Sequence, residues 1–133
     1  FLERLVGNYQ YVVMDNEAGM EHISRLTTHN VDVLLIVTDA SRRGLQAGLR
    51  INELARELNI GVGKSYLIMN RLKGEPEPIV LDLLKNDGLE LAGTIPDDEM
   101  VYKFDLQGKP TITIDTDNPA VRSAFAIFDK VLA

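Results

Sequence analysis

Apolar positions along this chain alternate between two rhythms. Tyr11–Met14 (YVVM), Val31–Thr38 (VDVLLIVT), Tyr66–Met69 (YLIM) and Leu89–Ile95 (LELAGTI) are short apolar runs that read as strands, and the continuous apolar run of Val31–Thr38 suggests burial on both faces. Between them apolar residues recur at helical spacing. Phe1–Gly7 reads as the last turns of a helix closed by a glycine, and Met20–Thr28 as a short helix. Ser41 is an N-cap for a long helix to about Leu58. Its expected apolar stripe is Ala47, Ile51, Leu54, Ala55 and Leu58, with Arg50, Glu53, Arg56 and Glu57 on the polar face. Ile79–Asn86 reads as a helix with Gly88 as its cap. Pro96 stops the fourth strand, and Asp97 and Asp98 suit the start of a helix. Gln107–Pro110 reads as a turn and Thr111–Ile114 (TITI) as a short edge strand. Asn118 followed by Pro119 opens a last helix that runs to about Leu132.

Strands and helices in alternation, joined by short connections, predict right-handed βαβ units. The expected fold class is α/β: three layers, with a mainly parallel sheet between flanking helices. Ligands of such sheets sit beyond the carboxyl ends of the strands. The informative positions are therefore Asp15–Gly19, Asp39–Ser41, Asn70 with Arg71, and Pro96 with Asp97.

Composition narrows the partners. The 133 residues hold 14 Lys and Arg against 20 Asp and Glu, a formal net charge of −6. That balance argues against nonspecific nucleic-acid binding and against a polybasic membrane anchor. No apolar run approaches the ~20 residues of a membrane span. The chain has no cysteine, which removes disulfides and thiolate metal sites from this stretch and fits a cytoplasmic setting. Hydrophobic residues make up 45% of the chain, enough for one packed domain over residues 1–133.

One motif is set aside. Gly61–Ser65 (GVGKS) resembles the tail of a phosphate-binding loop. Leu58 stands where the first glycine of that pattern belongs. The segment also follows a helix and opens a strand, whereas a phosphate loop must open a helix whose N–H groups face the anion. A connecting turn with a solvated Lys64 accounts for it.

YVVMDNEAG carries more chemistry. A strand ending in Asp15 places a carboxylate at the sheet edge, where it can hold a Mg²⁺ shell through water. Gly19, four residues on, lets backbone approach a γ-phosphate closely. A plain acidic turn after a strand explains the same residues. Helix capping explains Ser41 in the same way.

Taken together, DNEAGMEHISR (Asp15–Arg25), NVDVLLIVTDASRRGLQAGLRI (Asn30–Ile51), YLIMNR (Tyr66–Arg71), GTIPDDEMV (Gly93–Val101) and the QGKP turn resemble the MinD/ParA-like deviant P-loop ATPases. Within that group, Asp15-Asn16-Glu17-Ala18-Gly19-Met20-Glu21-His22 resembles the CooC-like ATPases that insert nickel into carbon monoxide dehydrogenase. The resemblance implies a P-loop NTPase-like fold seen as its C-terminal portion, with the phosphate-loop strand missing. It implies ATP or ADP with Mg as cofactors of the full-length protein. Asp15 would act on Mg through water, and Gly19 would meet the γ-phosphate. Asn70 and Arg71 would sit at the adenine, with Pro96 and Asp97 lining the base from the other side. Glu17 and His22 carry the subgroup's character without an assigned step. Nickel or zinc would bind only through residues outside this chain.

The function so implied is the C-terminal part of a maturation ATPase. Its partners would be carbon monoxide dehydrogenase or a related nickel enzyme, and a second copy in a nucleotide-bound homodimer. The fragment alone would bind nucleotide poorly. A partition or positioning ATPase is the alternative, though the last helix has only Arg122 and Lys130 as cations and so lacks a basic membrane face. A non-catalytic α/β binding or assembly module is a further alternative. The absent phosphate-loop strand is also expected to leave a gap, a closed-up sheet or an exposed edge beside Val31–Thr38.

Overall fold

The computed structural model of the chain describes residues 2–16, 30–58 and 61–133. Its elements run α1 (Leu2–Asn8), β1 (Val31–Thr38), α2 (Arg42–Glu57), β2 (Val62–Leu72), α3 (Pro78–Asn86), β3 (Glu90–Pro96), α4 (Glu99–Leu106), a 3₁₀ turn (Thr111–Thr113) and α5 (Pro119–Val131). The three strands form one parallel sheet in the order β1-β2-β3. Helices lie on both faces, so the fold is the expected three-layer α/β arrangement.

The alternating side chains of β2 divide the core between the two faces. Leu67 and Met69 point into one cluster with Ile36, Leu45, Leu84 and Leu89, drawn from the strands, α2, α3 and the entry to β3. Ile68 points the other way, into a cluster with Ala92, Ile127 and Val131, where α5 covers β3. Gly93 makes that second contact possible. A Cβ there would come within 2.6 Å of Ile127 Cγ1.

The caps form as the sequence predicts. Ser41 Oγ accepts from the Gly44 N–H at 3.0 Å, and Asn118 accepts from the N–H groups of Ala120 and Val121 at the start of α5. Gly88 follows α3 at φ 69°, the left-handed conformation of a helix end. Gly61, also at φ 69°, turns the chain into β2, and Gly63 lies so close to β1 that a Cβ would meet the Asp32 carbonyl oxygen at 2.6 Å. GVGKS thus opens a strand after a helix, as read from the sequence. Lys64 is exposed and pairs with Glu90 at 3.3 Å.

Four expectations need correction. Tyr11–Met14 is not a strand: it lies outside helix and sheet, with Val13 86% exposed. A strand exists only where a neighbour completes its ladder, and among the described residues none pairs with this segment; β1 pairs only with β2. Thr111–Ile114 is not an edge strand but a 3₁₀ turn and its end. Thr113 donates both its N–H and its hydroxyl to the Pro110 carbonyl, which closes the turn locally and leaves Ile114 buried. The stripe of α2 is rotated from the expected one. Leu45, Gly48, Asn52 and Ala55 are buried, while Ala47 and Leu58 are exposed. Asn52 is tolerated inside because its amide donates to Asp87 at 3.1 Å. Finally, α1 continues through Gly7 to Asn8 instead of closing at the glycine. The expected helix Met20–Thr28 lies outside the described residues. Among those described, no helix is long and apolar enough to cross a membrane.

Candidate functional site

Beyond the carboxyl ends of β2 and β3 lies a cleft of about 1190 Å³. Asn70 and Arg71 line it from the end of β2, and Ile95, Pro96 and Asp97 from the end of β3. The start of α4, the 3₁₀ turn and one side of α5 complete it.

The end of β2 is shaped for this position. The register with β3 shifts between Met69 and Leu72, and Arg71 adopts φ 58°, left-handed backbone that non-glycine residues avoid at a cost of roughly 1–2 kcal/mol. Asn70 supports the bend: its Oδ1 accepts from the Arg71 N–H at 3.0 Å. The bend is fastened to β3 through the Asp97 N–H, which donates to the Leu72 carbonyl at 3.0 Å. Asp97 also faces Lys73 at 3.9 Å, an exposed pair of small energetic weight.

Asp98 is the structural carboxylate of the cleft. It accepts from the Met100 and Val101 N–H groups at 2.9 and 3.0 Å and from Asn118 Nδ2 at 3.0 Å. The Asn118 hydrogen bond and then the backbone donors hold its carboxyl below the usual carboxylate range.

At the end of β1, Asp39 accepts from both the hydroxyl and the N–H of Ser41, and these bonds, with a smaller contribution from the Arg71 charge, lower its pKa. Gly44 is needed here, because a Cβ would run into Asp39 Oδ1. The neighbouring Thr38 hydroxyl is buried and has no hydrogen-bond partner among the described residues. Asp39 and Ser41 thus complete a helix cap and do not line the cleft.

The structure therefore brings Asn70, Arg71, Pro96 and Asp97 together in one cleft. It does not bring Asp15 to them. Asp15 is exposed in the irregular segment after Met14 and is absent from the lining. Gly19, Glu17 and His22 lie outside the described residues. Among the described residues no group of three or more His, Cys, Asp or Glu side chains could hold a metal ion. Sequence reading missed the aromatic side of the cleft, Tyr102, Phe125 and Phe128. The signal was present as Phe125 and Phe128 at i, i+3 spacing on the last helix, away from its core face.

No protein-family model matches the chain. It is 37% identical over 131 residues to an ATP-binding protein of Methanocaldococcus jannaschii, covering 98% of this chain and 52% of that protein. It is 37% identical over 97 residues to the carbon monoxide dehydrogenase accessory protein CooC of Rhodospirillum rubrum, covering 73% of this chain and 36% of CooC. The chain spans about half the length, or less, of the curated relatives it matches. In fold it superimposes on the MinD cell division protein of Aquifex aeolicus with a TM-score of 0.74 and 22% identity, over 98% of this chain and 56% of that one. A parallel sheet between helices, a strand-end cleft and these relatives agree: the chain is related in sequence to ATP-binding proteins that include CooC and shares the α/β fold of the MinD ATPases, spanning part of their length.

Proposed function

We propose that this chain is the C-terminal, base-recognising part of an ATP-binding and ATP-hydrolysing domain. The convergence of Asn70, Arg71, Pro96 and Asp97 on one strand-end cleft carries the reading. The cleft fits a purine in its chemistry. Ile95 and Pro96 offer an apolar wall. The Asn70 side chain offers two N–H donors and a second lone pair on the oxygen that already accepts from Arg71. An adenine edge presents donors and acceptors of matching kind.

The phosphates would be held elsewhere in the longer protein. Asp15 would reach Mg²⁺ through water, and Gly19 would supply an N–H to the γ-phosphate in that longer protein. The nucleotide would then close a homodimer. The full protein would assist nickel insertion into carbon monoxide dehydrogenase, a reading supported by the identity to CooC. A positioning ATPase of the MinD kind is the second reading, supported by 24% identity over 119 residues to a putative septum site-determining protein MinD of Emiliania huxleyi.

Titration of the isolated chain with MgATP and with MgADP, followed by amide NMR, tests the base site. The expected result is millimolar binding of both nucleotides, with shifts at Asn70, Arg71 and Asp97 and no dependence on Asp15→Ala. Absence of shifts at those amides at millimolar nucleotide sinks the base assignment. For the full-length protein, nickel uptake through thiols separates the two readings: uptake is expected for the maturation protein, and its absence favours the positioning one.

A further inference from the structure

The cleft extends well beyond the four residues assigned to the base. Its volume of about 1190 Å³ exceeds the ~300–1,000 Å³ of ordinary small-molecule sites. Its outer part is apolar and open. Tyr102 of α4 is 61% exposed, Ile112 of the 3₁₀ turn 91%, and Phe125 and Phe128 of α5 59% and 44%, and all four line the same concavity. None of them belongs to a core cluster, and α5 packs on the sheet through Ile127 and Val131 instead. Large apolar side chains clustered around a concavity mark an interaction site.

Charge decides what fits there. Among the described residues, the lining carries the carboxylates of Asp97, Asp98, Glu99 and Asp105 against the single cation Arg71. Asp98 is engaged in capping and Asp97 faces Lys73, which leaves Glu99 and Asp105 at the α4 rim. Such a rim attracts cations. We infer that the outer cleft, between α4, the 3₁₀ turn and α5, is a docking groove for a cationic amphipathic helix of a partner protein. Apolar residues of that helix would seat against Ile112, Phe125 and Phe128, and its Lys or Arg residues would face Glu99 and Asp105. The inference goes beyond the nucleotide reading and does not depend on it, since none of these five residues is assigned to the base.

The test uses two labelled synthetic peptides of equal length and helical pattern, one of Leu and Lys, the other of Leu and Glu. Fluorescence anisotropy is read on the whole chain. The Leu/Lys peptide is expected to bind in the micromolar range and the Leu/Glu peptide at least tenfold more weakly, with the difference shrinking as salt rises. Ile112→Asp, at a position too exposed to disturb folding, is expected to weaken the Leu/Lys peptide about tenfold, as loss of an apolar anchor does. The double variant Glu99→Lys with Asp105→Lys is expected to erase the preference between peptides. Equal binding of both peptides, binding of neither, or indifference to Ile112→Asp overturns the proposal. So does a dimer in sedimentation that Phe125→Ser dissolves, because a second copy would then occupy the groove.

Discussion

Asn118 donates its side-chain amide to the Asp98 carboxylate at 3.0 Å, and each of the two residues caps its own helix. One carboxylate therefore satisfies two N–H groups of α4 and also orients the cap of α5. The two helical walls of the cleft are fastened at their N-termini through this single pair.

Asp98→Ala is expected to lower stability by about 1–2 kcal/mol at neutral pH, the upper range for loss of an N-cap. The carboxyl is held below its usual value in the folded chain, so its contribution is complete above the unfolded value near ~3.9 and fades as pH falls through the lowered folded value. Urea melts of wild type and Asp98→Ala should therefore converge as the pH falls through that lowered folded value. A gap that stays constant from neutral pH to acid would refute the assignment.

Gly93→Ala is expected to destabilise by roughly 1–3 kcal/mol, because the added methyl meets Ile127 Cγ1 at 2.6 Å inside the α5 contact. In an Ile127→Ala background that atom is gone, and the penalty should fall below about 1 kcal/mol. Additive losses in the double-mutant cycle would place the strain elsewhere.

Arg71→Gly separates backbone strain from ligand binding. Glycine takes φ 58° freely, so stability should stay level or rise by up to ~1 kcal/mol. Nucleotide affinity should drop all the same, since the proposed base site loses the guanidinium of a residue that lines its cleft. Thermal melts and calorimetry read the two effects independently. A clear loss of stability would mean that the side chain, and not the bend, holds the end of β2.

Thr38→Val exchanges a buried hydroxyl with no hydrogen-bond partner among the described residues for a methyl of similar shape. Stability should rise by about 1 kcal/mol, the lower range for relieving an unsatisfied buried polar group. A destabilised variant would reveal a partner for that oxygen.

Much of this architecture was legible because it is local. Ser41, Asp98 and Asn118 announce helix starts through their own side chains, and each does cap a helix. Asn70, Arg71, Pro96 and Asp97 could be grouped in advance because the strand-end rule depends only on topology. Tyr11–Met14 misled because ladder formation depends on a neighbour that the pattern of one segment cannot supply. TITI misled because its period of two also fits a chain that Pro110 starts into a 3₁₀ turn. The face of α2 was misplaced because Gly48 and Asn52 do not look like core residues. Gly48 is inside because a Cβ would meet Thr38 Cγ2 at 2.8 Å, and Asn52 because Asp87 waits for it from the far end of α3.

The sheet has its strands in the same order as the chain, β1 then β2 then β3. Among the described residues, each strand therefore meets its neighbour after a single intervening helix, and no later strand is threaded between two earlier ones. Synthesis on the ribosome delivers the strands in the order in which they pair. Growth of the sheet can keep pace with elongation, each new βα unit docking on a surface already laid down.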